Sequence, residues 1–465
     1  MKIIKKNLLL PGICLALCFA SQCSSESEWE YPASTSDPQT PAQTYTDTEL
    51  IYMVQADALK YFWDFAQSNS KLARERYHTD NPSDDTNTVS VGGSGFGLMN
   101  ILIGIKNGNV TRTDAVSRLT TALNFLGTAD RFHGAWPHWL NGTNGRVIPF
   151  STNDDGGDLV ETAFLAQGLI CVREYFKDSA DTAEKALSVK ADQLWKGIEW
   201  NWYTKGENVL YWHWSPNVGF AMNHKIQGFD ETMITYVLAA ASPDYSISKE
   251  VYQQGWARNG EIKSTASQYG IPLIVNHNGV AGTVGPMFWS HYSFLALDPR
   301  SLSDDYVNYG DAVVNHAKIM YQYCVNNPKK WSGYSSKSWG LTSSYSRNSD
   351  GTTGYAAHQP NYDLGIISPT AALSSMPYTP AESMNVLRFL YNENKSMYVG
   401  TAGPYDAYSV HYNWVTPRYL AIDQGTISPM IENHKSQFLW NLFMNASDIR
   451  AGLSKLGFHS AQHGF

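Results

Sequence analysis

Two kinds of helical pattern in the sequence constrain the fold most strongly. In the first kind, such as "TRTDAVSRLTTALNFL", apolar residues recur every three or four positions and leave one polar face. In the second kind, which includes residues 159–172 and 232–241, the helix is apolar almost all round. Such a helix must be surrounded by other helices rather than lie on a surface. An inner and an outer ring of helices would contain both kinds.

The sequence therefore predicts an all-α fold with long connections. A capping box formed by Thr46 and Glu49 starts the first predicted helix. Glycine- and aromatic-rich connections such as "RFHGAWPHWLNGTNGRVIPFSTN" are too long for plain turns, and loops of that length are typical of functional sites. The further predicted helices cover residues 97–107, 111–127, 158–176, 181–201, 230–241, 304–325, 380–393 and 428–456.

The N-terminus is predicted to be an export segment. Lysines precede a short apolar run in residues 1–23, which ends at a cysteine in the arrangement of a lipoprotein signal peptide acylated at Cys23. A simple secretory signal cut near Ala20 is the alternative. Residues 24–45 have the Ser/Thr/Pro composition of a flexible tether, and residues 46–465 are expected to form one catalytic domain. The predicted location is the outer membrane of a Gram-negative bacterium, facing the surface or the periplasm.

The segment "DDGGDLVETAFLAQGL" places four carboxylates in front of an apolar helix. Asp158 could be its N-cap and Glu161 the partner in a capping box. However, Asp154 and Asp155 add like charge nearby, and Glu161 lies one turn into a helix predicted to be buried. Burial and like charge both raise the pKa of a carboxyl group, which could then act as an acid at neutral pH.

Two other helices also begin with acids. Glu231 in "GFDETMITYV" and Asp423 in "AIDQGTISPM" each stand near the start of an apolar stretch. If inner helices run in the same direction, these starts meet at one rim. Tryptophans in "HGAWPHWLNG" and "LYWHWSPN" offer flat faces for sugars. Glycoside hydrolysis needs one protonated and one ionised carboxyl group, and these acids can supply both.

Eight segments in order along the chain resemble the glycoamylase-like domain of bacterial glycoside hydrolases, a group that includes family 144. The resemblance runs from about residue 50 to 458, and the segments are "GGSGFGLMNILIG", "NFLGTADRFHGAWPHWLNG", "PFSTNDDGGDLVETAFLAQGL", "VLYWHWSPN", "YQQGWARNG", "HYSFLALDPR", "NYDLGIISPTAALSSMPYTP" and "YLAIDQGTISPMIENH". The resemblance implies an (α/α)6 toroid with minor β-hairpins. It also implies inverting hydrolysis of β-1,2-glucan, by an endo mode or by an exo mode that releases sophorose.

The resemblance also implies the site residues. Glu231 would be the general acid. The base stays open between Asp158 and Glu161 acting directly on water and Asp423 acting through a water relay. Asp230 departs from the family pattern, which often has asparagine at that position. The residues expected to line the sugar subsites are Arg131, His133, Trp136, His138, Trp212, Trp214 and His291.

Other functions fit the sequence less well. The net charge of −8 disfavours a nucleic-acid partner, and an anionic site disfavours a polysaccharide lyase, which needs cations beside its uronic substrate. A non-catalytic surface glycan-binding lipoprotein and a hydrolase of another glucan linkage remain alternatives. No cofactor is predicted, since "NPSDDTNT" and "STNDDGGD" could offer oxygens to calcium but follow no calcium-loop pattern. The chain is expected to be a monomer, with Cys171 and Cys324 as buried free thiols.

Overall fold

Helices form most of the regular structure in the computed structural model, which describes residues 44–465. The predicted signal peptide with Cys23, and all but the last two residues of the predicted tether, lie outside the described residues. The helices are α1 (Asp47–Trp63), α2 (Val91–Lys106), α3 (Arg112–Thr128), α4 (Leu159–Phe176), α5 (Thr182–Lys196), α6 (Met233–Ala241), α7 (Lys249–Gln254), α8 (Tyr309–Asn326), α9 (Pro369–Leu373), α10 (Pro380–Arg388), α11 (Lys395–Tyr398), α12 (Ala421–Ser436), α13 (Phe438–Met444) and α14 (Ser447–Leu456).

The helices fall into the two classes that the sequence predicts. Most residues of α2, α4, α6 and α12 are buried on every side of the helix, whereas α3, α5 and α14 bury one face. The buried helix α2 packs against both α4 and α12, and α4 also contacts α6. The amphipathic helices cover them, with α5 on α4 and α14 on α6. The hydrophobic core therefore runs along the buried helices.

Glycines allow the closest of these contacts. A Cβ atom built on Gly95 of α2 would lie 2.2 Å from the carbonyl oxygen of Phe164 in α4, and one on Gly168 would lie 2.3 Å from the carbonyl oxygen of Gly95. The backbones of α2 and α4 can approach this closely only because both positions lack a side chain. The glycine-rich segment at the start of α2 is therefore helical from Val91, six residues before the predicted start.

Short antiparallel strands join the helices at their ends. The pairs that matter for the site join residues 76–78 to 418–420, 88–90 to 139–141, 139–141 to 147–148, 157–158 to 213–214, and 343–347 to 353–357. The strands are β1 (Arg76–His78), β2 (Thr88–Ser90), β3 (Trp139–Asn141), β4 (Val147–Ile148), β5 (Gly157–Asp158), β6 (His213–Trp214), β7 (Ser267–Gln268), β8 (Ile271–Pro272), β9 (Leu302–Ser303), β10 (Ser343–Arg347), β11 (Thr353–Ala357), β12 (Val399–Gly400), β13 (Gly403–Pro404), β14 (Ala407–Ser409), β15 (Trp414–Thr416), β16 (Arg418–Leu420) and β17 (His459–Ser460).

The prediction of one long helix over residues 428–456 is wrong. Helix α12 begins at Ala421 and ends at Ser436. The next residue, Gln437, has a φ of 60° in the left-handed region, and α13 and α14 follow separately. A left-handed residue cannot continue a right-handed helix. Because α12 begins earlier than predicted, Asp423 lies inside its first turn instead of preceding it.

The thiols of Cys171 and Cys324 are both buried and free, which confirms that prediction. Within residues 44–465, no helix combines the length and the apolar character needed to cross a membrane.

Candidate active site

Asp158 organises the start of α4. It is the N-cap of the helix, and its Oδ1 accepts hydrogen bonds from the backbone N–H groups of Val160 (3.0 Å) and Glu161 (2.9 Å). Its Oδ2 accepts a hydrogen bond from His138 Nδ1 at 3.0 Å. The side chain is fully buried. The cap predicted from the sequence is therefore present, and both carboxylate oxygens of Asp158 are occupied.

Glu161 does not complete a capping box, because its side chain turns to the neighbouring helix. Its Oε2 accepts a hydrogen bond of 2.7 Å from the backbone N–H of Gly92, in the first turn of α2. A Cβ atom on Gly92 would lie 2.7 Å from that oxygen, so any other residue there would displace the Glu161 carboxyl group. Burial, with the nearby charge of Asp158, raises the pKa of Glu161 to about 7. The N-termini of α2 and α4 thus meet at one carboxyl group.

A third carboxyl group, that of Asp154, completes an acidic cluster with Asp158 and Glu161. Burial and then the charge of Asp158 raise the pKa of Asp154 to about 7. His213 Nε2 lies 3.3 Å from Asp154 Oδ2 and 3.8 Å from Asp158 Oδ2. Burial opposes the charged form of His138, but the charge of Glu161 and the hydrogen bond to Asp158 outweigh it and raise the pKa to about 9.

This cluster is also where a cation could bind. Among the described residues, one ligand atom each from His138, Asp154 and Asp158 lies within 4.8 Å of the others. The hydrogen bond between His138 and Asp158 already pairs a charged imidazole with a carboxylate. That pairing accounts for the arrangement without a metal ion, and we assign no metal to it.

Glu231 lies in the turn before α6 and faces the acidic cluster. The backbone carbonyl of Glu231 accepts a hydrogen bond from the Ser293 hydroxyl, which fixes the turn, and the Glu231 side chain remains partly exposed. Burial and the adjacent charge of Asp230 raise the pKa of Glu231 well above its usual range, and the charges of Glu161 and Asp158 raise it further. Asp230 itself is buried and bonds Thr232. These effects favour the protonated form of the Glu231 carboxyl group.

Asp423 reaches the same region from α12. Its Oδ1 lies 3.4 Å from the Tyr292 hydroxyl, which donates to it. Burial and the charge of Asp406 raise the pKa of Asp423 well above its usual range. Tyr292 feels the charges of Asp423, Glu231 and Glu161, so its hydroxyl lies near all three carboxyl groups. The structure thus brings together the four carboxyl groups that the sequence singled out.

Five further residues of the site were missed by the sequence analysis. Tyr292, Asp406 and Tyr355 surround Asp423, while Glu75 and Arg76 form an ion pair between Asp423 and the acidic cluster. The negative charge of Glu75 contributes to the raised pKa of both Glu161 and Asp423. These residues stand in "RERYHTD", "HYSFL", "TGYAA" and "PYDAYS", where no predicted helix start marks them. Only the folded chain shows that they are neighbours.

The predicted subsite residues divide into two groups. His138 contacts the acidic cluster through Asp158. Trp212, just before β6, and Trp214, in β6, project to the side away from the cluster, because His213 between them faces it. Trp214 contacts His133 edge-on at 4.7 Å, and Trp212 stacks on His224 at 4.9 Å. They form a partly exposed aromatic surface, and their contact with sugar stays a prediction.

Three of the predicted subsite residues make structural contacts within the fold. Trp136 is fully buried and donates its indole N–H to the Leu126 carbonyl, so no sugar can stack on it. Arg131 lies over the Trp136 ring and donates to backbone carbonyls, and burial lowers its pKa to about 10. His291 is buried and hydrogen-bonds Ser375. Burial contradicts the prediction that Trp136 and His291 line subsites, whereas a subsite role of the half-buried Arg131 stays a prediction.

Comparison with known proteins connects this geometry to one family. The glycoamylase family model matches residues 223–447. An exo β-1,2-glucooligosaccharide sophorohydrolase of Parabacteroides distasonis is 41% identical over 446 residues, which are 91% of this chain and 60% of that protein. This chain therefore spans about three fifths of that relative's length.

Two solved structures are similar over nearly the whole described chain. The endo-β-1,2-glucanase of Chitinophaga pinensis, in complex with sophorotriose and glucose, is 50% identical with a TM-score of 0.87, covering 90% of this chain and 99% of that one. A β-1,2-glucanase of P. distasonis is 39% identical with a TM-score of 0.83, covering 89% of this chain and 60% of that one. The chain therefore belongs to the glycoamylase family, among the family 144 proteins that are similar to β-1,2-glucanases.

Proposed function

We propose that this protein hydrolyses β-1,2-glucan or its oligosaccharides, and that Glu231 gives a proton to the leaving oxygen. The observation that carries the proposal is the environment of Glu231. Burial and like charges raise the pKa of its carboxyl group and so favour the protonated form, while the side chain stays partly open to solvent. The linkage is supported by the relatives that act on β-1,2-glucans, one in an endo mode and one by releasing sophorose.

The second carboxyl group of the reaction would activate water on the opposite face of the sugar, which inverts the configuration at the anomeric carbon. Asp158 does not fit this role, because its oxygens are occupied by two backbone N–H groups and by His138. Asp158 instead positions Glu161 and His138. Glu161 and Asp423 remain for the activation of water.

The proposal extends to the architecture and location. Alternation of buried and amphipathic helices supports closure into an (α/α)6 double ring, with the site at the rim where α2, α4 and α12 begin. The signal-like segment ending at Cys23 supports a lipid anchor in the outer membrane of a Gram-negative cell. Loss of membrane association in a Cys23→Ser variant of the full chain would support the anchor, and unchanged association would contradict it. Light scattering on residues 44–465 would test the expected monomer.

A glucan panel tests the activity. The protein is incubated with β-1,2-, β-1,3-, β-1,4- and α-linked glucans, and the products are separated and followed by NMR. We expect hydrolysis of the β-1,2-linked glucan, with products released first as the α-anomer. Glu231→Gln should lose activity by about 100-fold or more. Glu261→Gln, an exposed acid paired with Arg258 on the surface, is the matched control.

Three results would contradict the proposal. Preferential cleavage of another linkage would refute the assigned substrate. Retained configuration at the anomeric carbon would refute direct attack of an activated water on the glycosidic bond. Binding of β-1,2-glucan with no turnover would favour the glycan-binding alternative.

A further inference from the structure

The carboxyl groups of Asp406 and Asp423 are neighbours that shift each other's pKa, although both are acids and both are buried. Asp406 precedes β14 and Asp423 lies in the first turn of α12. The two residues are only 5% and 2% exposed, so bulk solvent screens their charges little. Two buried carboxylates cannot both be ionised at such close contact, because like charges in a low-dielectric site repel strongly. The pair must hold a proton.

The remaining hydrogen bonds show where that proton lies. Asp406 Oδ2 accepts the backbone N–H of Tyr345 at 2.7 Å, and Asp423 Oδ1 accepts the Tyr292 hydroxyl at 3.4 Å. The other two oxygens, Asp406 Oδ1 and Asp423 Oδ2, are buried and have no other partner within residues 44–465. One proton shared between these two oxygens satisfies both. An unpaired polar atom at this depth would otherwise cost stability.

We propose that Asp406 and Asp423 form one proton-sharing pair that acts as the base of the hydrolysis, in which Asp406 finally holds the proton taken from water. The inference rests on the proposed function. As water attacks the anomeric carbon, the new C–O bond forms and the glycosidic C–O bond breaks. Glu231 protonates the leaving oxygen. The proton of the attacking water passes through the Tyr292 hydroxyl to Asp423 Oδ1, while Asp423 Oδ2 transfers its own proton to Asp406.

The groups that face the pair favour this direction of transfer. Glu75, before β1, adds a negative charge near both members of the pair. Tyr355, from β11, is 56% exposed, and the charge of the neighbouring Asp423 raises the pKa of its neutral phenol. Tyr292 alone among these groups donates to Asp423 and also lies near Glu231, so it connects the pair to the acid. Negative surroundings increase the proton affinity of the pair.

The test is the pH dependence of kcat/KM for β-1,2-glucan oligosaccharides in three variants. Asp423→Asn should lose about 100-fold or more at every pH, because the oxygen that receives the proton is replaced. In Asp406→Asn the amide donates to Asp423, whose carboxylate is then ionised at lower pH. The acidic limb should move down by about one pH unit or more, and the loss at neutral pH should be smaller than for Asp423→Asn. A merely structural role would lower the rate without moving the limb.

The matched control is Asp363→Asn, another buried aspartate, which accepts hydrogen bonds from Tyr334 and Trp331 away from the site. It should change stability without moving the acidic limb. An unmoved limb in Asp406→Asn, or a limb that moves equally in the control, would overturn the inference. Absence of turnover in the wild-type protein would instead refute the proposed function.

A spectroscopic measurement covers the case in which Asp406→Asn does not fold. The infrared difference spectrum between the wild-type protein and Asp423→Asn should show a protonated carboxyl group at neutral pH. A difference spectrum that contains only an ionised carboxylate would overturn the shared proton. This measurement does not require substrate, so it separates the pair from the activity.

Discussion

Glu161→Gln should make the protein more stable at neutral and alkaline pH. Burial raises the pKa of Glu161 from 4.5 to about 7, which corresponds to a cost of about 3 kcal/mol once the group is ionised. Because the pKa of Glu161 is higher in the folded than in the unfolded protein, its contribution to stability is fully present below about pH 4.5. That contribution is lost as the pH rises through 7. Glutamine carries no charge, and its amide oxygen can still accept the Gly92 N–H.

Thermal unfolding at pH 5 and pH 8.5 measures this effect. The difference in Tm between the variant and the wild type should be a few degrees larger at pH 8.5 than at pH 5. For a domain of this size, about 3 kcal/mol corresponds to a shift of only a few degrees. Glu261→Gln, at an exposed site, should show no such change. If Tm depends on pH in the same way in Glu161→Gln and in the wild type, ionisation of the buried Glu161 does not destabilise the fold and the argument is refuted.

The other predictions concern the acid, the helix contact and a corrected subsite residue. The Glu161 charge helps to keep Glu231 protonated, so Glu161→Gln should move the alkaline limb of kcat/KM to lower pH; an unmoved limb would show that the two groups do not interact. Gly95→Ala should destabilise the fold by about 2 kcal/mol or more in denaturant unfolding, because its Cβ would overlap the α4 backbone, and an unchanged midpoint would contradict this contact. Trp136→Phe should lower stability by about 1 kcal/mol through loss of the bond to Leu126 and leave KM unchanged, whereas a raised KM would restore its role as a subsite residue.

Local patterns predicted the features that depend on neighbours in sequence. The cap at Asp158 needs only the residues that follow it, and the buried helices are recognisable because their apolar residues occur on every side. Acids at the starts of such helices also pointed to Glu161, Glu231 and Asp423. These predictions required no knowledge of long-range contacts.

Long-range contacts explain what was missed. The partner of Glu161 is the backbone of Gly92, 69 residues away, and Asp406 meets Asp423 only because β14 and α12 are brought together in the fold. Trp136 resembles a sugar platform in sequence, but the fold buries it beneath Arg131. An aromatic residue in a loop has the same local pattern whether it faces solvent or the core.

The most direct test of the account compares two substrates of Glu231→Gln. One is β-1,2-glucan, whose leaving group needs a proton, and the other is 2,4-dinitrophenyl β-sophoroside, whose leaving group does not. If Glu231 is the general acid, the variant should lose about 100-fold or more in kcat/KM on the glucan and retain most of its activity on the aryl sophoroside. An equal loss on both substrates, or no loss on the glucan, would contradict the assignment of Glu231 as the acid.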